Sequence, residues 1–232
     1  MLIRFPRLIT GLLLYGIADA FMLRAGLGVS PWLVFSQGLS LATGLSIGLL
    51  TNIIGVLVLL AWIPLRQRPG VGTVFNILLV GPGIELGLWL LPTPELLIVR
   101  IGFFAVGLVL LAVASGIYIG THLGPGPRDG LMTGIHTRFG TPLWVGRTAV
   151  EVTVLTVGWL LGGDAWIGTL VFALLIGPLC GLIMPLFDPD LRRSLQTRTP
   201  RPGVGGAASG DPDRDQSEGV TQGATPRPPE SC

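Results

Sequence analysis

The sequence contains no lysine and only two cysteines, and few of its residues carry a charge. All fifteen basic residues are therefore arginine, and charged residues make up only 12% of the chain. Cys180 lies in an apolar run and Cys232 is the last residue, so the chain has neither a framework of paired cysteines nor a metal-ligand spacing. A formal net charge of +2 gives no support to a nucleic-acid partner.

Catalytic motifs are missing as well. The sequence has no Ser-His-Asp constellation, no phosphate-binding loop and no zinc-ligand spacing. His122 and His136 are interpreted as satisfied or solvated imidazoles rather than metal ligands. We therefore expect a protein that is not an enzyme and that uses no metal and no cofactor.

Apolar residues are abundant. They make up half of the chain, and the mean hydropathy is +0.70. This composition is typical of proteins that cross a membrane several times, so the lipid bilayer is the expected surrounding.

The chain is a tandem duplication with a shift of 96 positions. Residues 4–87 align without a gap on residues 100–183, which pairs Pro31 with Pro127 and Gly81-Pro82 with Gly177-Pro178. The first residues resemble a secretory signal, but their counterpart lies in the middle of the chain, where no signal can act. Residues 8–24 are therefore predicted to be a retained membrane span.

Each copy is predicted to contain three spans and one short helix. The first repeat, 1–96, has spans at about 8–24, 45–65 and 71–91 and a short helix at 31–43. The second repeat, 97–187, has spans at about 99–121, 142–162 and 165–187 and a short helix at 127–139. Residues 188–232 are poor in apolar side chains, which predicts a disordered cytoplasmic tail.

The two short helices begin at Pro31 and Pro127, and proline is favoured in the first turn of a helix. Thirteen residues reach about 20 Å, which is less than the roughly 30 Å of a hydrocarbon core. The short helices are therefore either re-entrant or interfacial, and the residue pattern leaves both alternatives open.

Arginine placement predicts the orientation. With a cytoplasmic N-terminus, eight of the arginines up to residue 193 face the cytoplasm and two face outwards, so both termini are cytoplasmic. Because each copy has an odd number of spans, the second copy enters the membrane from the opposite side. The predicted fold is all-α and transmembrane, with six spans arranged as two inverted three-helix repeats.

Five charged residues are candidates for a substrate path or a gate: Arg128, Asp129, Arg147, Glu151 and Glu85. Arg147 and Glu151 are four residues apart and share one helix face, where they either line a path or form a structural pair. Arg128 and Asp129 are predicted to join them. Glu85 is either a protonatable carboxylate or a solvated group near the outer edge.

Gly81, Pro82, Gly177 and Pro178 are predicted to break the third span of each copy, because proline removes a helical hydrogen bond. Several glycines also have GxxxG spacing, which favours close packing between helices of one chain and also allows a homodimer. Asp19 and Asn76 are weaker candidates for a polar site.

Three motifs resemble a known family: LGVSPWLVFSQGL, GPGPRDGLMTG and GRTAVE. Together they are similar to the YczE-like integral membrane proteins of bacteria, which are related to the YitT and YyaS groups. The resemblance implies a multi-pass protein of the bacterial cytoplasmic membrane. The motif positions that it implies are Pro127, Arg128, Asp129, Gly130, Arg147 and Glu151.

Two functions follow from these patterns as hypotheses. The first is a secondary transporter or permease that moves a small molecule or an ion between the two repeats. The second is a membrane scaffold without transport activity, whose charged inner face and arginine-rich tail bind a cytoplasmic partner.

Overall fold

A computed structural model describes residues 4–188, and every regular element in this part of the chain is an α-helix. The helices are α1 (Arg4–Ala25), α2 (Pro31–Thr43), α3 (Ile47–Leu65), α4 (Val71–Leu90), α5 (Leu97–Ile119), α6 (Pro127–Phe139), α7 (Leu143–Leu160) and α8 (Ile167–Phe187). The all-helical class predicted from the sequence is confirmed. The predicted cytoplasmic tail, apart from Asp188, lies outside the described residues.

The two short helices have the same local start and stop signals. Pro31 and Pro127 occupy their first turns, and Gly44 and Gly140 follow their last residues with φ of 76° and 65°. A left-handed backbone costs glycine little, so the chain turns sharply there towards the next long helix.

The predicted breaks in the third span of each copy are wrong. Helix α4 runs through Gly81 and Pro82, and α8 runs through Gly177 and Pro178 without interruption. A proline removes one backbone donor, and a long helix in a packed protein tolerates that loss. In α4 the glycine has another use, because its missing side chain allows α3 to come close.

Five described helices, α1, α3, α4, α5 and α8, are long and apolar enough to cross a membrane. Helix α7 is not among them: its 18 residues are enough, but Arg147 and Glu151 lower its mean hydropathy. A sixth span at this position stays a prediction.

Helix α1 lies at the centre and packs against α4 and α5, while α5 also packs against α8. The buried core between them is aliphatic and aromatic, with Leu8, Leu12, Met22, Ile84, Phe104, Leu108 and Leu111 among its members. Large apolar side chains cover the outside, including Leu57, Ile98, Leu170 and Leu174. An apolar exterior of this kind matches a lipid environment.

The two copies contact each other reciprocally. The backbone N–H of Gly72 donates to the carbonyl of Leu123 over 2.8 Å, and the N–H of Gly168 donates to the carbonyl of Leu27 over 2.8 Å. A shift of 96 positions converts one bond into the other. Likewise α2 packs on α7 as α6 packs on α3.

One pair of helices departs from this correspondence. Helix α4 packs along α3, whereas the equivalent helices α7 and α8 are not a packed pair. The second copy is therefore open where the first copy is closed.

Candidate functional site

A cavity of about 490 Å³ lies between the two copies, and all eight helices contribute to its wall. Many lining residues occupy equivalent positions in the two copies: 15 and 111, 31 and 127, 32 and 128, 36 and 132, 51 and 147, 55 and 151, 76 and 172, 80 and 176. The volume is in the range of sites that hold small molecules.

The first turns of α2 and α6 meet at this cavity. The guanidinium carbon of Arg128 lies 5.3 Å from the centre of the Trp32 ring, a cation–π distance. Trp32 and Arg128 occupy equivalent positions in the two copies. The two short helices therefore bring their N-terminal ends together between the repeats.

Three polar groups converge beside Gly126, the residue before α6. The position of a Cβ atom on Gly126 is 3.1 Å from Tyr118 Oη, 3.4 Å from Asp129 Oδ2 and 3.9 Å from Asn76 Nδ2. Glycine at position 126 leaves these groups room to approach one another.

Arg147 and Glu151 line another part of the wall, on α7. Arg147 Nε lies 3.2 Å from Glu151 Oε1, and their side chains are 58% and 33% exposed. The four-residue spacing that the sequence showed thus becomes an ion pair on one helix face. Both residues line the cavity and both side chains are partly exposed, so their charges are accessible from the cavity and the pair adds little stability.

Two buried donors of the cavity wall have no partner among the described residues. Ser30 is 2% exposed and Trp32 is 6% exposed, and neither Ser30 Oγ nor Trp32 Nε1 makes a hydrogen bond. Most buried polar groups in proteins do find a partner. Donors left in this way beside a cavity are suited to a ligand that brings acceptors.

Glu85 lies apart from the other four charged candidates. Its Oε1 accepts a hydrogen bond of 2.7 Å from the backbone N–H of Gly48, in the first turn of α3. It is not part of the cavity wall. A carboxylate at a helix N-terminus stabilises the helix, so in this structure Glu85 joins α4 to α3.

The weaker candidates have separate places. Asn76 lines the cavity, whereas Asp19 is buried in α1, and its carboxylate oxygens make no hydrogen bond to the described residues. His122 Nε2 is 3.3 Å from Asp188 Oδ2, and His136 Nδ1 is 2.6 Å from the carbonyl of Thr141. Residues 4–188 contain no group of three or more His, Cys, Asp or Glu placed to hold a metal ion.

Sequence reasoning missed the aromatic part of the wall. Tyr15, Trp32 and Tyr118 line the cavity, and the rings of Tyr15 and Tyr118 meet edge to face with centroids 6.2 Å apart. Each lies in an apolar run, where an aromatic residue is usually part of the core. The repeat register was the available signal, since position 32 is equivalent to the charged position 128.

Residues 2–185 match the protein family described as "Family of unknown function (DUF6198)". The chain belongs to this family. No solved structure matches it.

Three relatives of this chain support the resemblance to YczE-like proteins that the sequence motifs indicated. An "Uncharacterized protein" of Haemophilus influenzae is 39% identical over 73% of this chain and 78% of its own length. The "Uncharacterized membrane protein YczE" of Bacillus subtilis is 33% identical over 75% and 81%, respectively. The "Uncharacterized protein YyaS" of the same organism is 28% identical over 77% and 90%. The predicted YczE-like family is confirmed, and with it a membrane protein with several apolar helices.

Proposed function

We propose that this DUF6198 protein is a secondary transporter or permease of the bacterial inner membrane, which moves a small polar solute through the cavity between its two copies. The observation that carries the proposal is the cavity wall itself, to which equivalent positions of both copies contribute. Transporters built from inverted repeats bind their substrates at such an interface.

The proposal includes six spans in two inverted repeats, with α7 as the sixth span. The reciprocal bonds from Gly72 to Leu123 and from Gly168 to Leu27 support it, since a two-fold axis between the copies produces this pattern. An axis in the membrane plane makes the copies antiparallel. The meeting of Trp32 with Arg128 favours short helices that re-enter the membrane over helices that lie flat on it.

At one end of the protein, none of the residues 88–97 or 160–167 lines the cavity. There Gln37 Nε2 donates to Asp164 Oδ2 over 2.8 Å, and Asp164 N–H donates to Gln37 Oε1 over 2.9 Å. Arg100 donates to the carbonyls of Ala25 and Gly26 over 2.6 Å each, which holds the start of α5 to the end of α1. We propose that these contacts close the cavity at this end, for which the arginine bias predicts the outer side.

The cavity extends towards the opposite end, where it is lined by Ile119, the last residue of α5, and by Met184 near the end of α8. With both termini in the cytoplasm, this geometry corresponds to an inward-open state. The transport cycle then requires a second state in which the Gln37–Asp164 and Arg100 contacts open.

Cys180 tests this state directly, because it lines the cavity. In a Cys232→Ser background, oriented vesicles are treated with a membrane-impermeant thiol reagent from one side at a time. We expect Cys180 to react from the cytoplasmic side and to be protected from the outer side. If Cys180 of the folded protein reacts from neither side, the proposed inward-open state is wrong.

Transport itself is measured in proteoliposomes with a panel of radiolabelled small solutes. The Glu151→Gln variant is compared with Glu95→Gln, whose carboxyl lies in an exposed loop outside the cavity. Solute uptake that the first change reduces and the second leaves intact supports the proposal. Absence of uptake for every solute counts against it.

The scaffold hypothesis makes a contrasting prediction for the tail. If the protein acts by binding a cytoplasmic partner, deletion of residues 189–232 abolishes its cellular function while the membrane part still inserts. If the protein acts through its cavity, the shortened protein keeps its function and loses it only when cavity residues are substituted.

A further inference from the structure

We infer that the cavity binds a small oxyanion, such as a carboxylate or a phosphate group, at the point where the first turns of α2 and α6 meet. The inference rests on the proposed function for the path that the anion follows. Binding is nevertheless measured separately from transport, so each can fail without the other.

Arg128 is the main donor at this point. Its guanidinium group is half-buried against the Trp32 ring, and among the described residues it forms no hydrogen bond and no ion pair with a carboxylate. A guanidinium presents five N–H donors and binds oxyanions with two parallel bonds. Stacking on an aromatic ring fixes its plane and leaves its edge free for such a ligand.

Ser30 and Trp32 add two further donors from the other copy. Both residues line the cavity, both are more than nine-tenths buried, and Ser30 Oγ and Trp32 Nε1 have no partner within residues 4–188. The indole N–H can only donate. Both donor atoms have almost no accessible surface, so an anion bound at Arg128 reaches them only after a small movement of the Ser30 and Trp32 side chains.

The backbone at the N-terminal ends of α2 and α6 also favours binding of an anion. Helices α2 and α6 have 13 residues each, and the N-cap residues Ser30 and Gly126 make no side-chain bond to their first turns. Pro31 and Pro127 have no N–H, and the N–H groups of Leu33, Val34 and Gly130 donate to the N-cap carbonyls. The contribution of each end is therefore mainly the positive pole of the helix dipole. Two such ends at one cavity favour a negative ligand more than either does alone.

The acidic groups of the wall are engaged elsewhere. Glu151 pairs with Arg147 over 3.2 Å, and Asp129 lies beside Tyr118 next to Gly126. A cation would have to compete with Arg147 for Glu151. The wall carries two arginines and two carboxylates, so its formal charges balance. The donors that have no acceptor among the described residues, on Arg128, Ser30 and Trp32, are what favour an anion over a cation.

The test uses the full-length protein in lipid nanodiscs, with sodium acetate, phosphate and sulfate as probes. Sodium chloride at matched ionic strength and tetramethylammonium chloride serve as controls. Binding is read from the shift in Tm and from the change in tryptophan fluorescence. At least one oxyanion is expected to raise the Tm above the chloride control in a saturable way.

Variants then locate the site. Arg128→Gln should weaken oxyanion binding about tenfold or more, since it removes a charged donor pair. Trp32→Phe keeps the ring and removes the N–H, and we expect a loss of about threefold. Arg138→Gln is the matched control, because Arg138 lies on the same helix outside the cavity wall. Arg128→Lys should recover part of the affinity.

Three results would overturn the inference: no oxyanion effect beyond chloride, equal binding in the wild type and the Arg128→Gln variant, or saturable binding of tetramethylammonium instead. If Arg128→Gln does not fold, Trp32→Phe and Ser30→Ala decide in its place. Oxyanion binding without any flux would leave the site in place and contradict the transporter, whereas flux of a cation alone would do the reverse.

Discussion

The two copies share a helical plan, but only the first copy holds its last two helices together. In the first copy, Gly81 N–H donates to Asn52 Oδ1 over 3.1 Å, and Gly48 N–H donates to Glu85 Oε1 over 2.7 Å. Gly48 and Gly81 also touch backbone to backbone. Helices α3 and α4 are thus joined by two hydrogen bonds and one close approach.

The second copy has different residues at the equivalent places. Trp144 replaces Gly48, Thr148 replaces Asn52, and Gly181 replaces Glu85. Around Gly177 and Gly181 no atom comes within 4 Å of the position that a Cβ atom would take. Gly177 and Gly181 line the cavity, so the gap between α7 and α8 lies beside it. Three sequence differences therefore separate a pair of joined helices from a pair that is not joined.

The largest expected difference comes from valine at the two equivalent glycines. Gly81→Val places a branched side chain where Asn52 and the Gly48 carbonyl already lie, so we expect a loss of about 3 kcal/mol in the free energy of unfolding. Gly177→Val meets open space and should change it by less than about 0.5 kcal/mol. Thermal unfolding in nanodiscs compares the two, and equal losses would refute the contrast.

The next largest effect is expected when the residues that join α3 to α4 are introduced at the equivalent positions of the second copy. The triple variant Trp144→Gly, Thr148→Asn and Gly181→Glu supplies the residues that join α3 to α4 in the first copy. We expect α7 to close on α8 and Cys180 to react with a thiol reagent about tenfold more slowly, which corresponds to a closing free energy of about 1.4 kcal/mol.

The control for this transfer is Trp144→Gly with Thr148→Val, which clears the same space without adding a hydrogen-bonding group. We expect Cys180 to keep its reactivity in the control, because nothing there ties α7 to α8. An unchanged rate in the triple variant would show that these groups do not set the gap.

A smaller effect is expected from Glu85→Ala, which leaves the N–H of Gly48 without its acceptor. The free energy of unfolding should fall by about 1 kcal/mol, the usual loss for a helix-capping group. Glu95→Ala, at an exposed loop carboxylate, should leave it unchanged. Reduced solute binding with no loss of stability would instead place Glu85 on the substrate path.

The smallest effect on stability is expected at Arg147. Its pair with Glu151 is exposed and spans one helical turn, so Arg147→Gln should cost only about 0.3 kcal/mol. The Tm measures this directly. A loss of several degrees would show that Arg147 holds α7 to its neighbours, which was the structural alternative for this pair.

Helix positions were predictable because two independent signals coincide. The apolar runs mark the long helices, and the 96-residue shift repeats the turns at Gly44 and Gly140. The expected break at Pro82 failed for a physical reason. Proline always weakens a helix locally, but whether the helix ends there depends on packing, and Gly81 makes the packing of α3 on α4 tight.

The site was predictable only in part. Arg128, Asp129, Arg147 and Glu151 stood out as charges in an apolar chain, and all four line the cavity. The short-range pattern could not place Glu85, because its partner Gly48 lies 37 residues away. Nor could it distinguish Trp32 from a core residue, since the rotation of α2 decides which side chains reach the cavity.

The central claim is that the two copies lie antiparallel in the membrane, so that their short helices end on opposite sides. Thr43 and Phe139 are the exposed last residues of α2 and α6 and are equivalent in the two copies. Thr43→Cys and Phe139→Cys are introduced singly into a Cys180→Ser, Cys232→Ser background and labelled with an impermeant thiol reagent. We predict that position 43 reacts only from outside and position 139 only from the cytoplasm, whereas reaction of both from one side would contradict the inverted arrangement.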